Sequence, residues 1–258
     1  MTNAEGHLFF LEQRMTDLPD HNDWLGPAEK ATLSDFRVAK RLLDWRLGRW
    51  TAKCAVSAYL VWSKERLRDI QISSLPSGAP KVDAPEKTEA PQISISHSSN
   101  SCLCVVGVPR YRIGCDIEKL ETRSQSFIET FFTPAEVLAL TPLSSDDKKI
   151  LVNIMWSTKE SYLKSTREGL TRDTTEVETS LPAPFEWKTP LADHTAWLPI
   201  WISNRNRSSV GYWRLIAGFV ETVCQFGAPI ASIADLSPTR LLHFPIDQLT
   251  AWRPTPTT

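Results

Sequence analysis

Three short stretches hold side chains whose types and spacing could do chemistry. In Gly114-Cys115-Asp116-Ile117-Glu118 the polar and apolar residues alternate as they do in a strand, so Asp116 and Glu118 share one face. Their Cα atoms then lie about 6.6 Å apart, close enough for both carboxylates to reach one cation. In Trp156-Ser157-Thr158-Lys159-Glu160-Ser161-Tyr162-Leu163-Lys164, a helical period puts Trp156, Glu160 and Lys164 on one face. Leu151, Met155 and Tyr162 fall on another face that can bury. Ser94-Ile95-Ser96-His97-Ser98 brings an imidazole and hydroxyls to a strand end beside a turn, where they could donate to an anion. Each stretch also has a plain reading. A D-x-E pair can be the solvated side of a strand. A Glu-Lys pair at i,i+4 is commonly a surface pair worth about 0.2–0.5 kcal/mol. A lone histidine can be structural. A third carboxylate meeting Asp116 and Glu118 would shift the balance, because a few oxygen ligands suit Mg²⁺, which keeps waters and phosphate oxygens in its shell.

Particular elements must position these groups. Leu8 to Leu11 reads as a first strand. Pro27 to about Arg68 has helical texture, with Leu33, Phe36, Ala39, Leu43, Leu47 and Trp50 three or four apart. Val82 to Pro91 is expected as a polar loop among prolines. From Gln92 the period is two, and Ser98-Ser99-Asn100-Ser101 turns the chain into Cys102–Val108. Helices are expected near Ser124–Leu140 and Asp146–Ser165. Strands follow near Thr174–Thr179, Phe185–Trp187, Trp197–Ser203 and Tyr212–Val220, with a disordered Pro/Thr tail over 253–258. This order predicts an α+β fold. Two halves are expected, 1–110 and 111–252, the second carrying the acidic motifs. Direct residue matching finds no repeat.

Bulk properties exclude several classes. The 258 residues hold 29 basic and 30 acidic side chains, a net charge of −1, so no global field draws the chain to nucleic acid or membrane. No apolar run is long enough to span a bilayer, and a signal peptide is not expected. Five cysteines without a C-x-x-C pair read as reduced thiols, which predicts a cytoplasmic protein. A monomer is expected.

Taken together and in order, these motifs resemble the 4′-phosphopantetheinyl transferase superfamily, of the large surfactin-synthetase-activator type. The resemblance rests on Ser96-His97, on Gly114-x-Asp116-x-Glu118, on Phe131-Phe132-x-x-x-Glu136 and on Trp156-x-x-Lys159-Glu160-x-x-x-Lys164. It implies two similar α/β halves with pseudo-twofold symmetry and a coenzyme A cleft between them. It also implies transfer of the 4′-phosphopantetheine arm of coenzyme A to a serine of an apo acyl or peptidyl carrier protein, as in polyketide or nonribosomal peptide synthesis. By the match, Asp116, Glu118 and Glu160 would hold Mg²⁺, and Glu160 would also be the general base. Ser96, His97, Asp116, Lys159 and Lys164 would contact coenzyme A, with Lys164 also serving catalysis. The chain departs from the pattern where the ribose 3′-phosphate should bind. A familiar G-K-P is Gly78-Ala79-Pro80 followed by Lys81, and a familiar arginine is Asp44. Arg41, Arg46 and Arg49 are neighbours, and Arg41 and Lys81 are the expected replacements; the bland alternative is a solvated helix face. Two other readings compete. One is a non-catalytic binder of coenzyme A or carrier protein. The other is a nucleic-acid surface formed by Arg37, Lys40, Arg41, Arg46, Arg49 and Lys53 with Trp45 and Trp50 interleaved, against which the neutral charge argues.

Overall fold

A computed structural model describes residues 7–83, 89–182, 194–205, 207–227 and 229–236. The strand expected at Phe185–Trp187 and the tail 253–258 lie outside the described residues. The architecture is α+β, as expected, and the chain divides into two compact units: 1–112 with 230–258, and 113–229. The chain from Ile230 to Leu236 returns to the first unit, where β11 lies beside β1.

In the first unit, β1 (His7–Arg14), β4 (Gln92–Ser98), β5 (Ser101–Gly107) and β11 (Ser232–Asp235) form a sheet in the order β11-β1-β5-β4. The β4–β5 hairpin closes through Ser99 and Asn100, both with left-handed φ (45° and 68°). Such a two-residue turn matches the twist of the strands, and asparagine tolerates that conformation better than most residues. The helical texture resolves into α1 (Pro27–Ala31), a 3-10 turn and the long α2 (Ala39–Tyr59). Ala52, Ala55 and Val56 of α2 pack with Phe9, Leu11, Ile93, Cys104 and Val106 of the sheet. A separate ribbon pairs β2 (Gln71–Ser74) with β3 (Pro80–Asp83).

In the second unit, β6 (Arg112–Lys119), β7 (Val177–Ser180), β8 (His194–Asn204), β9 (Arg207–Ile216) and β10 (Phe219–Phe226) are ordered β6-β10-β9-β8-β7. The strand expected over Tyr212–Val220 is in fact a hairpin, because Ala217 and Gly218 turn with φ of 49° and 78°. The helix expected over Ser124–Leu140 is two, α3 (Gln125–Phe131) and α4 (Pro134–Leu140). Thr133 caps α4, accepting from the Glu136 amide, while the Glu136 carboxylate accepts from the Thr133 amide. A capping box with Pro at the first helical position starts a new helix instead of continuing the old one. The long α5 (Ser145–Thr166) buries Ile150 and Ile154 against Ile200, Trp213, Leu215 and Val220. It lies so close to β6 that a Cβ on Gly114 would stand 1.8 Å from the Ser161 carbonyl oxygen. Glycine is therefore required there for the helix to reach the strand.

Each unit contains the same internal device. In the first, the Lys53 ammonium, 0% exposed, bonds Glu29 (2.5 Å) and the Trp24 and Leu67 carbonyls, and Glu29 also accepts from the amides of Gly26 and Ile72. In the second, Lys159, also 0% exposed, bonds Glu136 (2.7 Å) and the Phe131 and Thr174 carbonyls, and Glu136 accepts from the amides of Thr133 and Thr179. Both glutamates sit in a Pro-Ala-Glu at the start of a short helix. This is the repeat that direct matching does not find: three residues each time, at 27–29 and 134–136.

No helix among the described residues is long and apolar enough to cross a membrane.

Candidate functional site

The second unit brings the acidic motifs together. Strand β6 turns Asp116 and Glu118 towards the face on which α5 packs, and α5 offers Trp156, Glu160 and Lys164 at one-turn intervals, as their spacing predicts. The Lys164 ammonium lies 2.7 Å from Asp116 Oδ1 and 3.6 Å from Glu160 Oε2, and donates to the Cys115 carbonyl at 3.1 Å. Two carboxylates from different elements thus meet at one cationic point. Glu118 is held one step aside, accepting from the Trp156 indole N–H on Oε1 (3.2 Å) and from Arg123 on Oε2 (3.0 Å).

The electrostatics follow from that crowding. Burial, and then the charge of Asp116, push the Glu160 carboxyl up to about 7, with Lys164 pulling the other way. Burial and Asp116 also raise Glu118, against the pull of Arg123. Burial would lower the Lys164 ammonium, but Asp116 and Glu160 outweigh it and hold the group above its ordinary value. A carboxyl poised near neutrality can accept a proton at working pH. Two carboxyls pushed up by burial and by the charge of Asp116 are also the kind of oxygen donor a hard divalent cation relieves. Among the described residues no three carboxylate, imidazole or thiol groups stand close enough to enclose a cation as they are. Asp116 and Glu160 already converge, on the Lys164 ammonium, and Glu118 would have to turn towards them.

Lys159 was expected on the phosphates. The structure places it inside instead, where three acceptors take the three donors of its ammonium: Glu136, Phe131 O and Thr174 O. The reason is helical geometry, since residue 159 points about 100° away from residue 160 around α5.

The remaining expected residues lie in the first unit. Ser96 is buried and His97 exposed on β4, opposite Leu103 and Cys102 of β5. Lys81 is exposed on β3 and pairs with Asp83. Of the arginines near Asp44, Arg46 donates to the carbonyls of Pro19, Asp20 and His21. Arg49 is half-buried against the Trp45 ring, 5.2 Å from its centroid, and Arg41 is exposed in the first turn of α2. Asp44 pairs with Lys40. Lys53 is buried, and Trp50 packs edge-on against Trp24.

Sequence reasoning missed Arg123 and Asn153, which line the Glu118 side of the cluster. Neither belongs to a motif; Arg123 comes from the loop after β6, and Asn153 from α5, about one turn before Trp156. It noticed Glu136 but assigned it no role; the recurring Pro-Ala-Glu was the signal for its structural part.

Residues 112–197, from β6 into β8, match the family model of the 4′-phosphopantetheinyl transferase superfamily. Among curated proteins the chain is similar to the 4′-phosphopantetheinyl transferase HetI of Nostoc sp. The two are 37% identical over 90 residues, covering 34% of this chain and 37% of that protein. It is also similar to the 4′-phosphopantetheinyl transferase Sfp of Bacillus subtilis, 31% identical over 102 residues, 40% of this chain and 43% of that one. The chain therefore spans about two fifths of the length of the relatives it matches. Among solved structures, Helicobacter pylori holo-[acyl-carrier-protein] synthase in complex with coenzyme A is 20% identical. It has a TM-score of 0.33, with 39% of this chain and 98% of that chain covered.

Proposed function

From the match of residues 112–197 to the family model of the 4′-phosphopantetheinyl transferase superfamily, we propose that the chain belongs to that superfamily and transfers the phosphopantetheine arm of coenzyme A to a serine of an apo acyl or peptidyl carrier protein. The observation that carries the reading is the half-buried Glu160, poised near pH 7 beside Asp116 and Lys164 on the two elements that hold the family's motifs. In the proposed reaction the serine oxygen attacks the phosphorus of coenzyme A that bears the pantetheine. Its proton passes to Glu160, the pyrophosphate P–O bond breaks, and 3′,5′-ADP leaves. A serine hydroxyl is a weak nucleophile until a base takes that proton. Lys164 would meet a phosphate oxygen and offset the charge growing on the leaving group.

Asp116, Glu118 and Glu160 would hold Mg²⁺. When bound, that ion would neutralise the pyrophosphate and template its in-line geometry. Ser96 and His97 would donate to phosphates, and Arg41 and Lys81 would read the ribose 3′-phosphate. Two similar halves remain part of this reading, supported by the Lys53–Glu29 and Lys159–Glu136 devices, one in each unit. The non-catalytic alternative lacks a comparable observation, since a mere binder needs no carboxyl tuned towards neutrality.

The test is incubation of the full chain with coenzyme A, Mg²⁺ and a panel of apo carrier proteins, read by intact mass. One carrier should gain a single phosphopantetheine arm, and the gain should vanish in excess EDTA. No gain on any carrier would sink the transferase reading; a gain that survives EDTA would sink its metal dependence.

A further inference from the structure

A lysine ammonium and a divalent cation seek the same partners, oxygen atoms that carry negative charge. In the second unit one of the two is already in place. Lys164 stands one turn beyond Glu160 on α5 and reaches across to β6. Its ammonium lies 2.7 Å from Asp116 Oδ1, donates to the Cys115 carbonyl at 3.1 Å and stands 3.6 Å from Glu160 Oε2. The point on which the two carboxylates converge is therefore the point this ammonium fills. A second cation there would sit within a few ångströms of the first, where like charges repel strongly and a doubly charged ion is repelled twice as much.

This pair differs from the other lysine pairs of the fold. Lys53 and Lys159 are 0% exposed, and each is fixed by one glutamate and two carbonyls. The Lys164 side chain is 29% exposed, while that of Asp116 is 2% exposed. The cation thus sits at the rim and the carboxylate lies inside. A lysine stem is long and flexible, so the ammonium can swing to another anion while Asp116 and Glu160 stay on their strand and helix. Taking the positive partner from a buried carboxylate is costly unless another cation replaces it. Departure of Lys164 and arrival of a metal are for that reason one exchange. The exchange asks nothing of Glu118, which Trp156 and Arg123 hold to one side.

From this arrangement we infer that Lys164 is the resident counter-ion of the site: its ammonium keeps a divalent cation from Asp116 and Glu160 until a phosphate of coenzyme A draws it away, so that metal and coenzyme A bind cooperatively. The inference rests on the metal reading above and adds to it an order of events. Coupling of this kind is reciprocal, so each ligand tightens the other by the same factor.

The experiment is a titration of Mn²⁺ into the full chain, with and without coenzyme A and in the absence of carrier, following free Mn²⁺ by electron paramagnetic resonance. Circular dichroism checks the fold of each variant. Without coenzyme A, Lys164→Gln should bind Mn²⁺ about 10- to 100-fold more tightly than wild type, the worth of one charge-assisted contact. Lys164→Arg keeps the charge and should stay near wild type; a gain equal to that of Lys164→Gln would overturn the inference. Coenzyme A should tighten Mn²⁺ in wild type and tighten it less in Lys164→Gln, because part of the coupling passes through the residue removed. Lys164→Gln binding Mn²⁺ no more tightly than a binding wild type overturns this inference alone. Should that variant fail to fold, acetylation of the wild-type lysines, read by peptide mass, decides: Lys164 should react faster in saturating Mn²⁺, and an unchanged rate would overturn the inference. Uptake of Mn²⁺ by neither protein, with coenzyme A or without, would overturn the metal reading and this inference with it.

Discussion

Glu160→Gln should make the metal-free protein more stable at pH 8 while removing its proposed base. Glutamine has the shape of the protonated acid and cannot ionise. The Glu160 carboxyl rises from 4.5 in the unfolded chain to about 7 in the fold, chiefly because burial and Asp116 disfavour its charge. Its side chain is only 19% exposed, so solvent screens little of this. A folded-state value above the unfolded one means that the group's stability is fully present below about 4.5 and is lost as the pH climbs to about 7. At about 1.4 kcal/mol per pKa unit, the ionised wild type at pH 8 carries a penalty of about 3 kcal/mol that glutamine avoids. For a chain of this size that is roughly 6–12 °C in melting temperature. At pH 5 the gap should shrink below about 1 kcal/mol, because wild type folds with Glu160 protonated. Thermal and denaturant melts in EDTA at the two pH values give the comparison. Equal stability at pH 8, or a gap that does not change with pH, would refute the claim that this carboxyl is held against its charge. The same variant should lower kcat by about 10²–10⁴, the ordinary worth of a general base.

The other two predictions concern cations that the fold treats differently. Lys159→Met leaves Glu136 charged and uncompensated inside the second unit, so it should destabilise by about 3–5 kcal/mol in chemical denaturation; a raised KM for coenzyme A at unchanged stability would instead return Lys159 to the phosphates. Arg41→Ala should raise KM for coenzyme A about tenfold to a hundredfold through one lost charge-assisted bond. Its kcat and its KM for dephospho-coenzyme A should hardly move, and equal wild-type treatment of the two substrates would count against the assignment.

The acidic core of the site was legible in the sequence because its elements are regular. A period of two puts Asp116 and Glu118 on one side of a strand, and a period of four puts Trp156, Glu160 and Lys164 on one side of a helix, whatever the rest of the chain does. Local turn chemistry was legible where the residues named the turn, as at Ser99-Asn100. It was missed at Ala217-Gly218, where the flanking β-rich sequence reads as continuous. It was missed again at Thr133-Pro134, where a capping box divides one helical pattern into two. Which charges face inward was not legible. Lys53 and Lys159 have the composition of surface lysines, and only the tertiary arrangement brings each to a buried glutamate and two spare carbonyls, the partners without which an ammonium does not stay inside. The return of β11 to β1 and the approach of Arg123 to Glu118 are likewise contacts between distant or irregular segments. Periodicity reports the face a residue occupies on its own element. What that face meets depends on how the elements pack, and that is decided by the fold as a whole.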